Sequence, residues 1–239
     1  MTVRSSAAVK YASSLPSGPN SFSVVGFAAA GLPANIATVA QTLIDAARRT
    51  APYSLPEQVQ YALRLVAWSW IARQCGVQIA LIDVLLAAGA SPAGEPDNAL
   101  VNGNLDAAAH LVARGAPLTL SSALCLGYFD RAAALAPGAT RGQKQFALTM
   151  SALRGNAAAL SAAIGFGVDL AAPSPDLYPH ATALHHAVGS GSLEAVRALV
   201  EAGAPLGVKD TVYDGTPFEW AEFGKKTEIA AYLKQRGAG

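Results

Sequence analysis

Charge is scarce in this chain. Only 14% of the 239 residues are Asp, Glu, Lys or Arg, and 17 basic residues face 16 acidic ones for a formal net charge of +1 at pH 7. From Thr140 onward there are nine of each sign. Phosphate neutralisation demands clustered Lys and Arg, and no such stripe accumulates, so a nucleic acid partner is not expected. Long apolar runs are lacking as well. The chain is 52% hydrophobic with a mean hydropathy of +0.30, yet no run approaches the roughly 18 apolar residues that a membrane-spanning helix requires. The apolar residues are mostly alanine and leucine at helical spacing, and no membrane partner is expected.

Groups that carry chemistry are equally sparse. Histidine is confined to His110, His180, His185 and His186, and no Cys or His pair has the spacing of a zinc site. The acidic residues are scattered singly rather than in facing pairs. Gly165-Phe166-Gly167 resembles half of a dinucleotide fingerprint, but it closes an apolar helical segment instead of opening one after a strand. Glycine there suits a left-handed helix end. No G-x-S-x-G elbow occurs, and Ser161, Ser190 and Ser192 read as cap and surface residues. Without a nucleophile and base, a metal cluster or a phosphate loop, a non-enzymatic protein with no cofactor is expected.

What the chain does have is repetition. The stretch HATALHHAVGSGSLEAVRALVEAG runs from His180 to Gly203, with Thr182-Ala183-Leu184-His185-x-Ala187 at its start and an apolar comb at Val196, Leu199 and Val200. Downstream, Asp214-Gly215-Thr216-Pro217-Phe218-Glu219-Trp220-Ala221 repeats the opening, and Leu199 to Leu233 and Gly203 to Gly237 share an offset of 34. Upstream, paired glycines twelve apart recur at Gly103 and Gly115, Gly155 and Gly167, and Gly191 and Gly203. Units therefore end near Gly89, Gly115, Ala139, Gly167, Gly203 and Gly237, in steps of 26, 24, 28, 36 and 34.

The opening resembles the ankyrin repeat, whose T-P-L-H-x-A signature begins a pair of antiparallel helices at a period of about 33 residues; Ala183 stands where proline is usual. The resemblance implies an all-α, ankyrin-like helical solenoid of about six units. It also implies that His185 braces the turn between units. The early units are shortened, and the expected loss is their hairpin finger and part of the first helix. Long fingers are expected only at 171–180 and 208–214. In such a stack Cys75 and Cys125 lie two units apart, beyond the ~7 Å Cα reach of a disulfide, which fits a reducing, cytoplasmic setting.

The remaining segments divide the chain into a flexible arm at 1–22, an N-terminal helical cap at 23–76 and the solenoid at 77–239. The arm is rich in Ser, Pro and Gly, and the apolar stretch from Val24 to Leu32 is broken by Gly26 and Gly31, which argues against a secretory signal. Two cap helices are expected, at Asn35 to Arg49 and from Ser54 to about Arg73, the second opened by a Ser54 and Glu57 capping box. Trp68 and Trp70 read either as core or as the lining of a ligand pocket. A second capping box is expected at Thr216 and Glu219, with Pro217 at the first helical position.

Ankyrin-like units bind through finger tips and the exposed side of their first helices. The resemblance places Val101, Asn102, Cys125, Leu126, Leu153, Arg154 and Phe223 on that strip. Tyr178, His180, Val212 and Tyr213 belong to the two fingers, where tyrosines favour interface contact. The leading reading is a monomeric, non-catalytic scaffold for a protein or peptide. Two alternatives stay open: a small-molecule-binding or enzymatic protein with a pocket near the N-terminal helices, and an exported effector or toxin-neutralising protein.

Overall fold

The computed structural model describes residues 32–238; the arm at 1–22 and the opening of the 23–76 segment lie outside the described residues. Among the described residues regular structure is helical, apart from one isolated antiparallel bridge between Pro173 and Thr182. These residues fall into two compact units, 32–118 and 119–238.

The first unit contains α1 (Ile36–Thr50), α2 (Leu55–Trp68), α3 (Trp70–Gln74), α4 (Gln78–Ala87), α5 (Glu95–Val101) and α6 (Leu105–Ala113). α2 pairs with α4 and α5 with α6, while α2 also packs along α5 and α4 along α6. α1 lies against α4 and α2. Leu63, Ile82, Leu100 and Leu111 are fully buried, and so are Ala67, Ala99, Ala107 and Ala108. Small side chains at the contacts let helices approach closely, so an alanine-rich sequence still forms a dense core.

Two local expectations fail in this unit. The helix that begins at Leu55 does not run to Arg73 but breaks at Ser69, whose ψ of 113° is extended. The Ser69 hydroxyl accepts from Ala72 N at 3.1 Å and caps α3. A buried amide supports the carbonyls at the break: Gln78 Nε2 shares its two hydrogens among the carbonyls of Val66 at 2.8 Å, Ala67 at 3.1 Å and Ser69 at 3.2 Å, and Asn104 Nδ2 also donates to the Ala67 carbonyl at 2.8 Å. The break leaves Trp68 and Trp70 about half exposed, which overturns their reading as core. The Ser54 capping box does not form either. Ser54 is already helical in φ and ψ (−93°, −13°), not in the extended conformation a capping side chain needs, and it makes no side-chain cap bond.

The second unit contains α7 (Leu120–Cys125), α8 (Phe129–Leu135), α9 (Arg141–Leu153), α10 (Ala157–Ile164), α11 (Ala183–Ser190), α12 (Leu193–Glu201), α13 (Pro217–Phe223) and α14 (Thr227–Gln235). The helices pair consecutively, and the first helices α7, α9, α11 and α13 stack in series. The second helices α10, α12 and α14 do the same. Leu124, Leu148, Leu160, Leu184, Val196, Leu199 and Leu233 are fully buried between them. The comb read in the sequence is thus the buried stripe of α12. The described residues hold six helix pairs in all, two in the first unit and four in the second.

The two long fingers are where the spacing places them. Residues 165–182 separate α10 from α11 and residues 202–216 separate α12 from α13, whereas α8 and α9 are joined by 136–140 alone. The first helices of the short units lose little: α5 has seven residues and α7 six, against eight in α11 and seven in α13. The finger can be dropped without exposing core, while a first helix packs on both neighbours and cannot. The capping box at Thr216 and Glu219 forms, with Pro217 at the first helical position.

The turn inside each pair is tight. Gly155 has φ +61°, and a Cβ there would lie 2.9 Å from both Ser190 Oγ and Ser192 Cβ of the next pair. Gly155→Ala is therefore expected to cost about 1–2 kcal/mol from the left-handed backbone, with the close contact adding to it. Urea unfolding measures this, and a loss under about 0.5 kcal/mol, the size of an ordinary surface change, would show that the turn relaxes freely. In the last pair the equivalent position, 34 after Gly191, is Lys225, which keeps the left-handed conformation at φ 53°.

Candidate functional site

The second finger is organised by one carboxylate. Asp210 is 2% exposed. Its Oδ1 accepts from the backbone N–H groups of Val212 at 2.9 Å and Tyr213 at 2.7 Å. Its Oδ2 accepts from Gly215 N at 3.1 Å and from Trp220 Nε1 at 2.9 Å. Burial alone would raise the Asp210 pKa, but these donors outweigh it and hold the carboxyl at about 2. The finger tip beyond it projects into solvent, with Val212 61% and Tyr213 75% exposed.

The first finger is tied to the second through His185. Thr182 donates to His185 Nδ1 from its hydroxyl at 2.8 Å and from its backbone N at 3.3 Å. On the other side of the ring, Nε2 donates to the Gly215 carbonyl at 3.0 Å. A carbonyl can only accept, so the proton sits on Nε2 and the neutral tautomer is fixed by its surroundings. Burial pushes the His185 pKa down, with the Gly215 carbonyl and Asp210 opposing. A further bond joins the fingers, from Thr211 N to the His180 carbonyl at 2.9 Å. With both ring nitrogens engaged, His185 braces the turn as the resemblance implied and has no lone pair left for a metal. Among the described residues no three His, Cys, Asp or Glu side chains are grouped to hold one.

His186 is different. It is 5% exposed, and burial, followed by the neighbouring His180 and His185, pushes its pKa down to about 4 against the pull of the Tyr178 and Ala181 carbonyls. Its Nε2 is buried and makes no hydrogen bond. Rings surround it: Tyr178 at 5.6 Å, His180 at 6.0 Å and Trp220 at 6.4 Å between centroids. Tyr213 extends the cluster, 6.5 Å from Trp220.

Beside this cluster an open cleft of about 520 Å³ runs across the first helices, lined by Leu153, Arg154, His186, Gly189, Ser190 and Trp220. Of the residues read from sequence, Leu153 and Arg154 line the cleft, and Tyr178, His180 and Tyr213 join it through ring contacts. Val212 stands at the exposed finger tip, and Phe223, at the end of α13, is 93% exposed but outside the cleft lining. Cys125 is buried and Leu126 half-buried, so neither offers much surface. Val101 and Asn102 are half-buried in the first unit, where Asn102 Nδ2 donates to the Trp68 carbonyl at 2.8 Å. Sequence reasoning missed Asp210, His186 and Trp220 as site residues. The 34-residue offset carries His186 onto Trp220, and that signal could have found the ring.

The fold and cleft can be set beside known families. Residues 180–211 match the family model of the ankyrin repeat. They contain α11, α12 and the start of the Asp210 finger. No curated protein matches the chain. No helix among the described residues is long and apolar enough to cross a membrane. One repeat, 180–211, thus matches the ankyrin repeat, and the helix pairs stacked with it in the 119–238 unit have an ankyrin-like arrangement.

Proposed function

We propose that the chain is a non-catalytic scaffold that binds a protein or peptide segment in the cleft across α9, α11 and α13, with the two fingers closing on it and no cofactor involved. The observation that carries this reading is the position of the exposed Tyr213 and Val212 tip beside a cleft that mixes apolar surface with Arg154 and Trp220. Aromatic and arginine side chains dominate the energetics of such contacts. Finger retention supports it too, because a long loop is kept only where it contributes something. The scaffold acts as a monomer in the cytoplasm on this reading.

The test is a pull-down from the source cell, comparing the wild-type chain with Tyr213→Ala and with Tyr178→Ala plus Tyr213→Ala. Tyr213 is the cleaner probe, since Tyr178 adopts a left-handed φ of 49° and carries structural ring contacts. Affinity for the captured partner should fall about tenfold for the single variant, the size of a modest hot spot. Equal retention by all three removes the fingers from the reading. Leu153→Lys and Leu126→Lys then examine the helix face alone.

A further inference from the structure

The cleft contains a glycine that the fold does not require. Gly189 lies in the last turn of α11, and a Cβ built there would meet one atom within 4 Å, Trp220 Cζ3 at 3.9 Å, which is an ordinary contact. Its φ is outside the left-handed region. Neither space nor backbone excludes alanine, and glycine inside a helix is the less stable choice because it loses more conformational freedom on folding. What glycine does leave is room. Two residues before the turn positions Gly127, Gly155, Gly191 and Lys225 stand Cys125, Leu153, Gly189 and Phe223, so Gly189 is a gap in an otherwise apolar row. The gap is exposed, and Leu153 and Trp220 line the cleft with it. Charge there has one sign. Arg154 is in the lining and no Asp or Glu is, while Lys226 Nζ lies 3.1 Å from where a Cβ on Gly191 would sit. Among the described residues the Lys226 ammonium makes no ion pair.

We propose that the gap over Gly189 receives an aromatic side chain of the bound peptide, flanked by an Asp or Glu that pairs with Lys226. The inference rests on the peptide-binding reading above and names the residue that sets its specificity. A flat ring can approach the bare backbone at Gly189 closely, and there it meets Trp220, an aromatic pairing that adds to simple burial. An aliphatic side chain gains the burial alone. A basic neighbour in the peptide would be brought against Lys226 and Arg154, and like charges so placed suppress binding, whereas an acidic one is complementary to them. The selection is thus for size and flatness at Gly189 and for charge beside it.

The test selects peptides of about twelve residues from a random display library on the immobilised full chain, and the tightest of them is the probe. The selected pool should carry Phe, Tyr or Trp next to Asp or Glu. Gly189→Leu fills the gap from within and should weaken the probe about tenfold or more, the loss of a modest hot spot. Gly189→Ala, by contrast, should raise the Tm by about 2 °C. Replacing the aromatic residue of the probe by Leu should weaken binding to the wild type about fivefold. Replacing its acidic residue by the amide should weaken binding about threefold, an effect absent in Lys226→Gln. Should Gly189→Leu fail to fold, the composition of the pool and the two peptide replacements decide. A pool without the aromatic and acidic pair, wild-type affinity in Gly189→Leu, or a Tm lowered by Gly189→Ala overturns the proposal. Self-association of the free chain that Phe223→Ala abolishes also overturns it, since the cleft would then take a second copy. If the selected peptides respond to Tyr213→Ala but not to Gly189→Leu, the scaffold reading stands without it; if no peptide is selected, both fall together.

Discussion

Asp210→Ala is expected to destabilise the 119–238 unit by about 3 kcal/mol or more, because a hydrogen bond to a charged group contributes about 1.5–3 kcal/mol and four are lost. The substitution strands three backbone N–H groups and one indole N–H at once. Asp210→Asn keeps one acceptor oxygen and should lose about half as much. Equilibrium urea unfolding measures both, and a loss under about 1 kcal/mol for alanine, near the average point mutation, would show that the finger is not built on this carboxylate. Partner binding should fall with it, since the same turn presents Tyr213. The sign with pH follows from the depressed pKa: the Asp210 contribution is complete above its ordinary value of 3.8 and is lost as pH falls through about 2.

A second large effect is expected from mild acid, with the opposite residue class responsible. His185 and His186 are held neutral in the folded chain, His186 at about 4 against an ordinary 6.5. Their stabilisation is therefore complete above about 6.5 and lost as pH falls from there toward 4. Between about pH 7.5 and 5.0, His186 alone should remove about 2 kcal/mol of stability. His185 adds to this, since protonating Nδ1 turns the Thr182 contacts from bonds into a clash of donors. The groups facing these rings reinforce the direction in part: His180 repels a second proton, while Asp210 offsets it at His185. Differential scanning calorimetry of the wild type and His186→Phe at both pH values isolates the His186 share. An equal loss in both proteins would assign the acid sensitivity to other groups.

Much of the fold is legible in the sequence because the signals are local. Thr182 and His185 are three residues apart, so their contact is set within one helical turn. Paired glycines twelve apart mark left-handed turns at Gly191 and Gly203, where an L side chain is disfavoured whatever surrounds it. The Val196, Leu199 and Val200 comb has the period of a helix face, and it is the buried face.

The candidate site is less legible. Cys125 and Leu126 carry the right position in the repeat but are covered, and Phe223 has it but stands apart from the cleft. Trp68 and Trp70 share an apolar, helical neighbourhood with buried residues, yet a break at Ser69 turns them outward. Nothing near Ser69 in sequence announces that break; it is made tolerable by Gln78, whose amide reaches its carbonyls from the next helix.

By itself, then, the sequence determined the helix pairs, their repeat and the survival of two fingers, because periodicity, turn glycines and caps act over a few residues and leave a pattern that spacing reveals. Only the tertiary structure decided that Asp210 would collect four donors, that His185 would spend both nitrogens while Nε2 of His186 is left unpaired, and that Trp220 would wall a cleft with Leu153 and Arg154. Those outcomes depend on groups from neighbouring pairs, such as Trp220, 34 residues from His186, meeting at hydrogen-bond or ring-contact distance. A repeat fixes which residues share a position, but the few ångströms that separate a paired polar atom from an unpaired one are set by packing.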